Sequence, residues 1–441
     1  MLNGLFVIVV VTSVLLAAAT GRMEAVTQAL IDSARDAVTL AIGLVGVMAF
    51  FLGLMRVAED GGLMRRLASA LGPVMKRLFP GIPADHPAMS AMILNISANM
   101  LGLGNAATPF GIRAIEQLDT LNSEKGTASN AMVLFLAINT AGLAILPTGV
   151  IGLRASLGSN DAAGILFPTW IASGTATLVG ILAATLLCKL PRYRNTEPQT
   201  ITSAPSTIGD TLGEAEESIK PTALRRWAVW LFWFVFFVFL VRYLNSSSWN
   251  LFSPNKELNP DDDFVTLVRS TLSFWMLPAL VAGLTLYGWQ RGVRVYESLV
   301  AGAKQGFDVA LRIIPYLVAI LVAIGMLRAA GGIEWLALLL TPFTSLIGMP
   351  AEALPMAVLR PLTGSGAFGV MAEAMNTHGP DSLVGYMVST FQGSTETTFY
   401  TLAVYFGAIG IVKTRHALPA CLLADIAGIL AAVAIVNLMF G

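Results

Sequence analysis

Polar side chains interrupt two apolar stretches of this chain at spacings that could build a binding site. The first stretch is NISANMLGLGNAATP, residues 95–109, where three asparagines, a serine and a threonine share an apolar run with spaced glycines. Asn95 and Asn99 lie four residues apart, so they would share one face of a helix. Such groups are costly to bury in lipid without hydrogen-bond partners. Either they bind a ligand, or they satisfy backbone groups where a helix is broken.

The second stretch is GSTETTFY, residues 393–400, in which Glu396 is surrounded by hydroxyl side chains. Glu396 lies about twelve residues into an apolar run, hence about 18 Å deep at about 1.5 Å per residue. An ionisable group at that depth costs about 2.5–3.5 kcal/mol on insertion scales, so it should face a polar interior and have a partner. Glu396 is therefore a candidate ligand-binding or proton-coupling group, or it caps a helix break.

Two further charged residues fall inside apolar runs. Asp425, in ACLLADIAGIL, is a second candidate for proton coupling or for a structural role. Arg360, in LRPLTGSG, could pair with either acid, bind an anionic group or reach an interface. The candidate substrate-binding residues are Asn95, Ser97, Asn99, Asn105, Thr108, Asn139, Ser365, Ser394, Thr395, Glu396 and Thr397, and the candidate coupling groups are Glu396, Asp425 and Arg360.

The composition indicates an integral membrane protein and excludes several function classes. Of 441 residues, 55% are hydrophobic and only 12% are charged. Lys+Arg 27 equals Asp+Glu 27, so no nucleic acid polymer is expected as a partner. Cys188 and Cys421 lie inside apolar runs, and the three histidines have no ligand spacing, so we expect no metal site. GSGAFG has the glycine spacing of a dinucleotide-binding motif, but it follows no strand, so we predict no cofactor. The sequence contains no Walker A motif. It also has no recognisable nucleophile–base set, so we do not predict an enzyme.

The apolar stretches predict a polytopic helical protein. Stretches long enough to cross about 30 Å of hydrocarbon fall at 3–20, 37–57, 128–153, 163–190, 226–244, 264–288, 309–327, 384–411 and 417–440. The first of them lacks a positive n-region, so we predict a retained helix. Two shorter, small-residue-rich stretches, 88–104 and 353–371, are predicted to be broken or re-entrant.

Short sequence matches indicate an internal repeat. MRVAEDGG at 55–62 is echoed by LRAAGG at 327–332, and LGLGNA at 101–106 by LTGSGA at 362–367, in the same order. Counting the spans places the two copies in opposite orientations. With the polar linker in the cytoplasm, seventeen of the 27 Lys and Arg residues fall in inner loops and five in outer loops. This bias follows the positive-inside rule and supports the inversion.

The predicted fold is therefore an all-α, polytopic membrane protein with two inverted-topology helical repeats, each with a re-entrant or broken segment. The predicted divisions are a first membrane repeat at 1–190, a cytoplasmic polar linker at 191–225, a connecting transmembrane helix with an outer loop at 226–263, and a second membrane repeat at 264–441. Small-residue faces such as GLVGVMAFFLG are compatible with a homo-oligomer, and membrane lipid is an expected partner.

Two long motifs resemble a known family. NISANMLGLGNAATPFGIRAIEQL resembles the signature of spore maturation protein A, and the stretch from RPLTGSGAFG to LLADIAGILAA resembles that of spore maturation protein B. The resemblance covers roughly 1–190 and 264–441. It implies a protein of the bacterial cytoplasmic membrane related to the nucleoside-recognition or gate domain. The domain name implies a nucleoside-like solute by analogy only.

Two functions fit these observations. One is a secondary transporter or permease that binds a small polar solute between the broken segments. The other is a non-transporting membrane component of envelope or spore cortex maturation, which acts through partners and uses its buried polar groups to hold the fold together.

Overall fold

Helices dominate the residues that the computed structural model describes, which are 2–101, 104–198, 223–244, 264–332, 335, 342 and 344–441. The first helices are α1 (Leu2–Thr20), α2 (Met23–Asp60), α3 (Leu63–Leu78), α4 (Pro87–Met100), α5 (Gly104–Thr120), α6 (Asn130–Thr140), α7 (Thr148–Ser156), α8 (Leu166–Leu187) and α9 (Pro191–Arg194). They are followed by α10 (Ala223–Leu244), α11 (Phe264–Gln290), α12 (Val295–Ala329), α13 (Leu354–Leu359), α14 (Gly364–His378), α15 (Leu383–Ser394), α16 (Thr398–Ala408) and α17 (Ala417–Phe440). These residues form no β-strand.

The prediction of an all-α polytopic membrane protein is confirmed. Within the described residues, α2, α8 and α17 are long and apolar enough to cross a membrane. α2 and α12 are longer than the spans predicted at 37–57 and 309–327, because each helix continues beyond its apolar segment through charged and polar residues. The predicted linker at 191–225 begins with α9, but its residues 199–222 lie outside the described residues, as do residues 245–263 of the connecting region.

The helices of the second repeat follow those of the first in order. By order, α2, α4–α5, α6–α7 and α8 correspond to α12, α13–α14, α15–α16 and α17. The corresponding helices α2 and α12 pack side by side in opposite directions. A Cβ on Gly53 would lie 3.0 Å from Cγ of Leu299, and a Cβ on Gly325 would lie 3.2 Å from Cβ of Ser33.

A second pair of corresponding helices, α8 and α17, also packs antiparallel. A Cβ on Gly180 would lie 3.2 Å from Cβ of Ala424, and a Cβ on Gly428 would lie 3.1 Å from Cβ of Ala176. Small residues on both helices thus allow the backbones to approach closely. Because equivalent helices run in opposite directions, the predicted inversion of the two repeats is confirmed.

Each repeat contains a helical hairpin where a re-entrant segment was predicted. In the first repeat α4 and α5 run side by side, since the Asn95 amide donates to the Ala107 carbonyl at 2.8 Å. In the second repeat the turn Ala351–Ala353 and α13 lead to a tip at 360–363, and α14 follows. The predicted segments 88–104 and 353–371 cover only the first arm, the tip and, in the second repeat, part of the second arm of each hairpin.

The prediction of continuous spans at 128–153 and 384–411 is wrong. The first is divided into α6 and α7 by an irregular segment, 141–147, and the second into α15 and α16 by the shorter segment 395–397. We call these segments the first and second break. Gly142 in the first break has φ 57, a left-handed conformation that favours glycine, and Pro147 cannot donate a helical hydrogen bond. Apolar composition alone did not reveal either interruption.

In each repeat an arginine that follows the break is hydrogen bonded to the opposite repeat. Arg154, at the end of α7, is fully buried and donates to the Pro380 carbonyl at 2.6 Å and to Asp381 Oδ1 at 2.9 Å, just before α15. Its guanidinium also lies 4.3 Å from the ring centroid of Tyr386. In the second repeat, Arg415 in the loop after α16 donates to Asn130 Oδ1 at 2.8 Å, at the start of α6.

We expect Arg154→Ala to lower stability more than any exposed arginine change. The substitution removes a fully buried side chain and leaves the Pro380 and Asp161 carbonyl oxygens without this donor, whereas the exposed Asp381 keeps its bonds from Ser159 and Asn160. An unsatisfied buried acceptor costs about 1–3 kcal/mol, so we expect a loss of that order. The measurement is thermal unfolding of the purified protein in detergent. Arg77→Ala, on the exposed face of α3, is the control and should leave the midpoint unchanged. Equal midpoints for both variants would contradict the assigned role of Arg154.

Inversion also predicts the accessibility of equivalent loops. In a background with Cys188 and Cys421 replaced by serine, Glu124→Cys precedes α6 and Thr377→Cys precedes α15. Both positions are exposed. We expect a membrane-impermeant maleimide to label them from opposite sides of sealed vesicles, with Glu124→Cys on the cytoplasmic side. Labelling of both positions from one side would contradict inversion.

Candidate functional site

A cavity lies where the two breaks meet. It has a volume of about 250 Å³, and residues of both repeats line it. We call it the central cavity. Its lining consists of Asn99, Gly142, Ala144, Leu146, Pro147, Thr148, Gly149, Val150, Arg360, Gly364, Phe368, Gln392, Gly393 and Glu396.

The backbone of the breaks is hydrogen bonded to the hairpin tips and to the opposite break. The Glu396 amide donates to the Thr140 carbonyl at 2.8 Å and joins the two repeats directly. In the first repeat the Ile145 amide donates to the Met100 carbonyl at 2.7 Å. The second repeat has an equivalent bond, from the Phe399 amide to the Pro361 carbonyl at 3.0 Å. Each hairpin tip thus supplies an acceptor to its own repeat, which replaces bonds lost to the missing helical turns.

The asparagines predicted to share a face form an amide network at the cavity edge. Asn99 Nδ2 donates to Asn139 Oδ1 at 2.9 Å, and Asn139 Nδ2 donates to the Phe135 carbonyl at 2.9 Å. Asn95 Nδ2 lies 3.2 Å from the Tyr405 hydroxyl, whose oxygen is 3.4 Å from Asn139 Oδ1. Asn99 lines the cavity, while Asn95 and Asn139 lie behind it, and the Asn95 Oδ1 atom is unpartnered among the described residues.

Arg360 lies at the second hairpin tip and holds the second break. Its Nη1 donates to Thr397 Oγ1 at 3.2 Å, and its Nη2 donates to the Thr395 carbonyl. Arg360 Nη2 also lies 3.6 Å from Glu396 Oε2. The two side chains differ in exposure, since 3% of Arg360 and 57% of Glu396 is accessible. The carboxylate is thus the accessible member of the ion pair.

Asp425 lies outside the lining of the central cavity. Its Oδ2 accepts a hydrogen bond of 2.7 Å from Thr398, the first residue of α16, and the side chain is buried. The other carboxyl oxygen, Oδ1, has no hydrogen-bond partner among the described residues. Asp425 therefore contacts the helix that begins at the second break, one residue beyond the Arg360–Thr397 bond.

Several predicted site residues do not join the cavity. The Ser97 and Ser394 hydroxyls donate to carbonyls of their own helices, and Ser365 lies in the first turn of α14 outside the lining. Thr108 lies in α5 and is partly buried. The side chain of Asn105 lies outside the described residues.

Three cavity-related residues were missed by sequence reasoning. Gln392 lines the cavity directly before the quoted GSTETTFY motif, and its buried Oε1 is unpartnered within the described structure. A polar residue in an apolar run was a signal for it. Phe368 and Tyr405 carried no such signal, because aromatic residues are common in apolar helices.

The site combines uncharged hydrogen-bonding groups with one ion pair in a small space. Asn99 and Gln392 offer amides, Thr148 and the break offer a hydroxyl and backbone groups, and Glu396 faces Arg360. This donor set suits recognition of a small polar molecule. Within the described lining, no serine, cysteine or threonine is paired with a histidine or other base, so the geometry favours binding over covalent chemistry.

Comparisons with known proteins agree with this architecture. A family model described as "Gate: Nucleoside recognition" matches residues 41–157 and 310–412, which include both hairpin tips and both breaks. Spore maturation protein B of Bacillus subtilis (strain 168) is 48% identical over 170 residues, covering 38% of this chain and 96% of that protein. Spore maturation protein A of the same organism is 38% identical over 194 residues, covering 44% of this chain and 97% of that protein. No solved structure matches the chain.

The two relatives are each matched over nearly their whole length, which confirms the resemblance found in the sequence motifs. The matched family is not a known class of enzyme. Both identities exceed 30%, and each relative is covered over more than nine-tenths of its own length. The chain belongs to the family of the spore maturation proteins A and B.

Proposed function

We propose that this protein is a secondary transporter or permease for a small polar, nucleoside-like solute in the bacterial cytoplasmic membrane, with the linker 191–225 in the cytoplasm. The observation that carries the proposal is that the breaks of two inverted repeats share one polar cavity. In secondary transporters of this architecture, substrates bind near the membrane midplane at discontinuous helices. The nucleoside-recognition description of the matched family model supports the same solute class.

The central cavity suits a small solute. Its volume of about 250 Å³ lies just below the range of roughly 300–1,000 Å³ typical of sites for drug-sized ligands. Asn99 and Gln392 can donate to or accept from a base or a hydroxyl, and Glu396 can accept from a sugar hydroxyl. A solute with several neutral donors and acceptors fits this set better than an anion or an apolar molecule.

In the proposed mechanism a second cavity gives the solute a route from the membrane surface. It has a volume of about 440 Å³ and lies between α2, α12 and α14, with Asp36, Arg328 and Glu373 in its lining. We call it the lateral cavity. Phe368 lines the central cavity and packs against the cluster that contains Leu321, which lines the lateral cavity. In the proposed mechanism the Phe368 ring separates a solute in the central cavity from the lateral cavity until the two repeats rearrange.

The carboxyl groups supply the proposed coupling. Glu396 is accessible from the cavity and is paired with Arg360, so protonation of Glu396 would release the arginine from this pair. Asp425, in the final helix α17, accepts a hydrogen bond from Thr398 at the start of α16. A movement of the second break would therefore also alter the contact between α16 and α17. Proton binding at either acid could thus be linked to movement of the second break.

The names of the relatives favour a second candidate function. Both relatives are called spore maturation proteins, which fits a non-transporting membrane component of envelope or spore cortex maturation that acts through partners. In that case the polar groups of the breaks would only stabilise the fold. A homo-oligomer is compatible with either function. The two candidates differ in whether a cavity substitution affects flux or only protein abundance.

We expect Glu396→Gln to reduce proton-driven uptake of the solute into proteoliposomes about tenfold or more, while protein yield and thermal midpoint remain near wild type. The substitution keeps the side-chain shape but removes a charged hydrogen-bonding group, whose bonds contribute about 1.5–3 kcal/mol each. A panel of nucleosides and dipeptides is screened first by thermal shift, then by uptake.

Glu116→Gln, on the exposed face of α5, is the matched control and should transport normally. Wild-type protein that binds and moves no member of the panel, together with lower abundance of Glu396→Gln, would contradict transport and support the second candidate.

Removal of the Phe368 ring tests the barrier between the cavities. We expect Phe368→Ala to increase leakage of preloaded solute from proteoliposomes in the absence of a gradient, because the central cavity would open towards the lateral cavity. Phe234→Ala, which removes an exposed ring of α10, serves as the control. Unchanged leakage from a folded Phe368→Ala protein would contradict a gating role.

A further inference from the structure

A large basic cleft lies away from the central cavity, where α2 ends, α3 begins and the α11–α12 loop turns. Its volume is about 910 Å³, and it is lined by Arg56, Asp60, Gly61, Gly62, Arg65, Arg66, Ser69, Arg291, Gly292, Val293, Arg294, Glu297, Ser298 and Ala301. Five arginines and two carboxylates line it, and Glu59 beside the lining pairs with one of the arginines, which leaves an excess of two positive charges. The lining of the central cavity contains none of these residues, and neither Arg154 nor Arg415 is among them.

The arginines of the basic cleft are not neutralised equally. Arg56 is paired with Asp60 at 3.1 Å and with Glu59 at 3.4 Å. In the described structure, Arg65, Arg66, Arg291 and Arg294 form no ion pair. They come from two separate elements and converge on one concavity, unlike a solvated run of charge along a single helix. A multivalent anion could contact several of them at once.

The backbone adds to this positive field. α3 begins beside Gly62 and α12 begins beside Arg294, and neither N-terminus has a side-chain cap. Their unsatisfied N–H groups lie at the same cleft as the arginines, where both helix dipoles favour negative charge. The Tyr287 ring holds two guanidinium groups in place, with Arg66 at 5.3 Å and Arg291 at 5.8 Å from its centroid.

Aromatic rings place the basic cleft at a membrane surface. Trp289 precedes the loop and is 37% exposed, and Tyr296 follows it and is 77% exposed. Exposed tryptophan and tyrosine rings at helix ends are typical of the headgroup level of a bilayer. α3 is amphipathic, with Leu63 and Leu67 packed against the core and Arg65 and Arg66 exposed. The cleft also lies on the side that the positive-inside count assigns to the cytoplasm.

We propose that this basic cleft binds the phosphate of an anionic phospholipid headgroup at the cytoplasmic surface of the membrane. The chemistry is a bidentate guanidinium–phosphate contact from both walls, with additional contacts from the uncapped helix ends. Because α2 and α12 pack against each other directly beside the cleft, a bound headgroup would fasten the two repeats at this end. The binding does not depend on the proposed transport function.

The test measures the thermal midpoint of the purified full-length protein in a neutral detergent as dioctanoyl phosphatidylglycerol is added. We expect a saturable rise that dioctanoyl phosphatidylcholine and inorganic phosphate at equal concentration do not reproduce. The double variant Arg65→Gln/Arg294→Gln should bind about thirtyfold more weakly, since each surface arginine contributes about 1 kcal/mol. Arg65→Lys/Arg294→Lys keeps both charges and should recover most of the affinity.

Lys76→Gln/Arg77→Gln, on the same helix but outside the cleft, is the matched control and should respond like wild type. An equal loss in this control would show general surface attraction and overturn the site. A phosphatidylcholine response of equal size would overturn the charge recognition, and an equal response to inorganic phosphate would assign the cleft to a soluble ligand instead. Uptake assays are not needed for any of these outcomes.

Discussion

Backbone polar groups that lie at membrane depth must find hydrogen-bond partners inside the protein, because lipid offers none. Both repeats interrupt a membrane-crossing helix, so both create amides and carbonyls without helical partners. The hairpin tips satisfy some of them, through Met100 and Pro361. The bond from Glu396 to Thr140 satisfies others across the repeats. The broken helices and the hairpins therefore stabilise one another and form one unit.

Because the breaks and the hairpin tips bind each other, their polar side chains are gathered around the central cavity. The same arrangement that satisfies the backbone leaves Asn99, Gln392 and Glu396 around a small cavity. The repeats are related in backbone but not in chemistry. The first contributes the Asn99 amide and the Thr148 hydroxyl, and the second contributes the Gln392 amide and the Arg360–Glu396 pair. In the proposed mechanism this asymmetry would allow the neutral groups to bind the solute and the charged pair to bind the proton.

Contacts between the two repeats also hold the broken helices at a distance from the breaks. Arg154 in α7 and Arg415 in the loop after α16 each contact the start of the broken helix of the opposite repeat. Arg415 adopts φ 52, an uncommon conformation for a residue with a side chain. Its bonds to Asn130 and Tyr193 hold it there. The broken helices are thus bonded to the opposite repeat at the breaks and again near Arg154 and Arg415, so a rearrangement of one repeat would disturb contacts of the other.

Patterns within short stretches of sequence were enough to predict several features. Hydrophobic run lengths located the apolar helices, although not the interruptions within 128–153 and 384–411. The ordered motif pairs indicated the repeat, and the distribution of basic residues indicated its inversion. The polar residues in NISANMLGLGNAATP and GSTETTFY located both sides of the cavity. Each of these features depends on a short segment or on a sum over the chain. They can therefore be predicted without knowing which segments are in contact.

The tertiary structure decided what depends on contacts between distant segments. Ser97 and Glu396 are both polar residues in apolar runs, yet Ser97 bonds its own helix and Glu396 reaches the cavity. Tyr405 and Phe368 look like ordinary core residues until the fold brings them to Asn95 and to the central cavity. The sequence by itself determined a membrane-embedded inverted repeat with polar breaks. Only the fold decided which polar groups serve the backbone and which remain accessible, because hydrogen-bond partners hundreds of residues apart are set by packing.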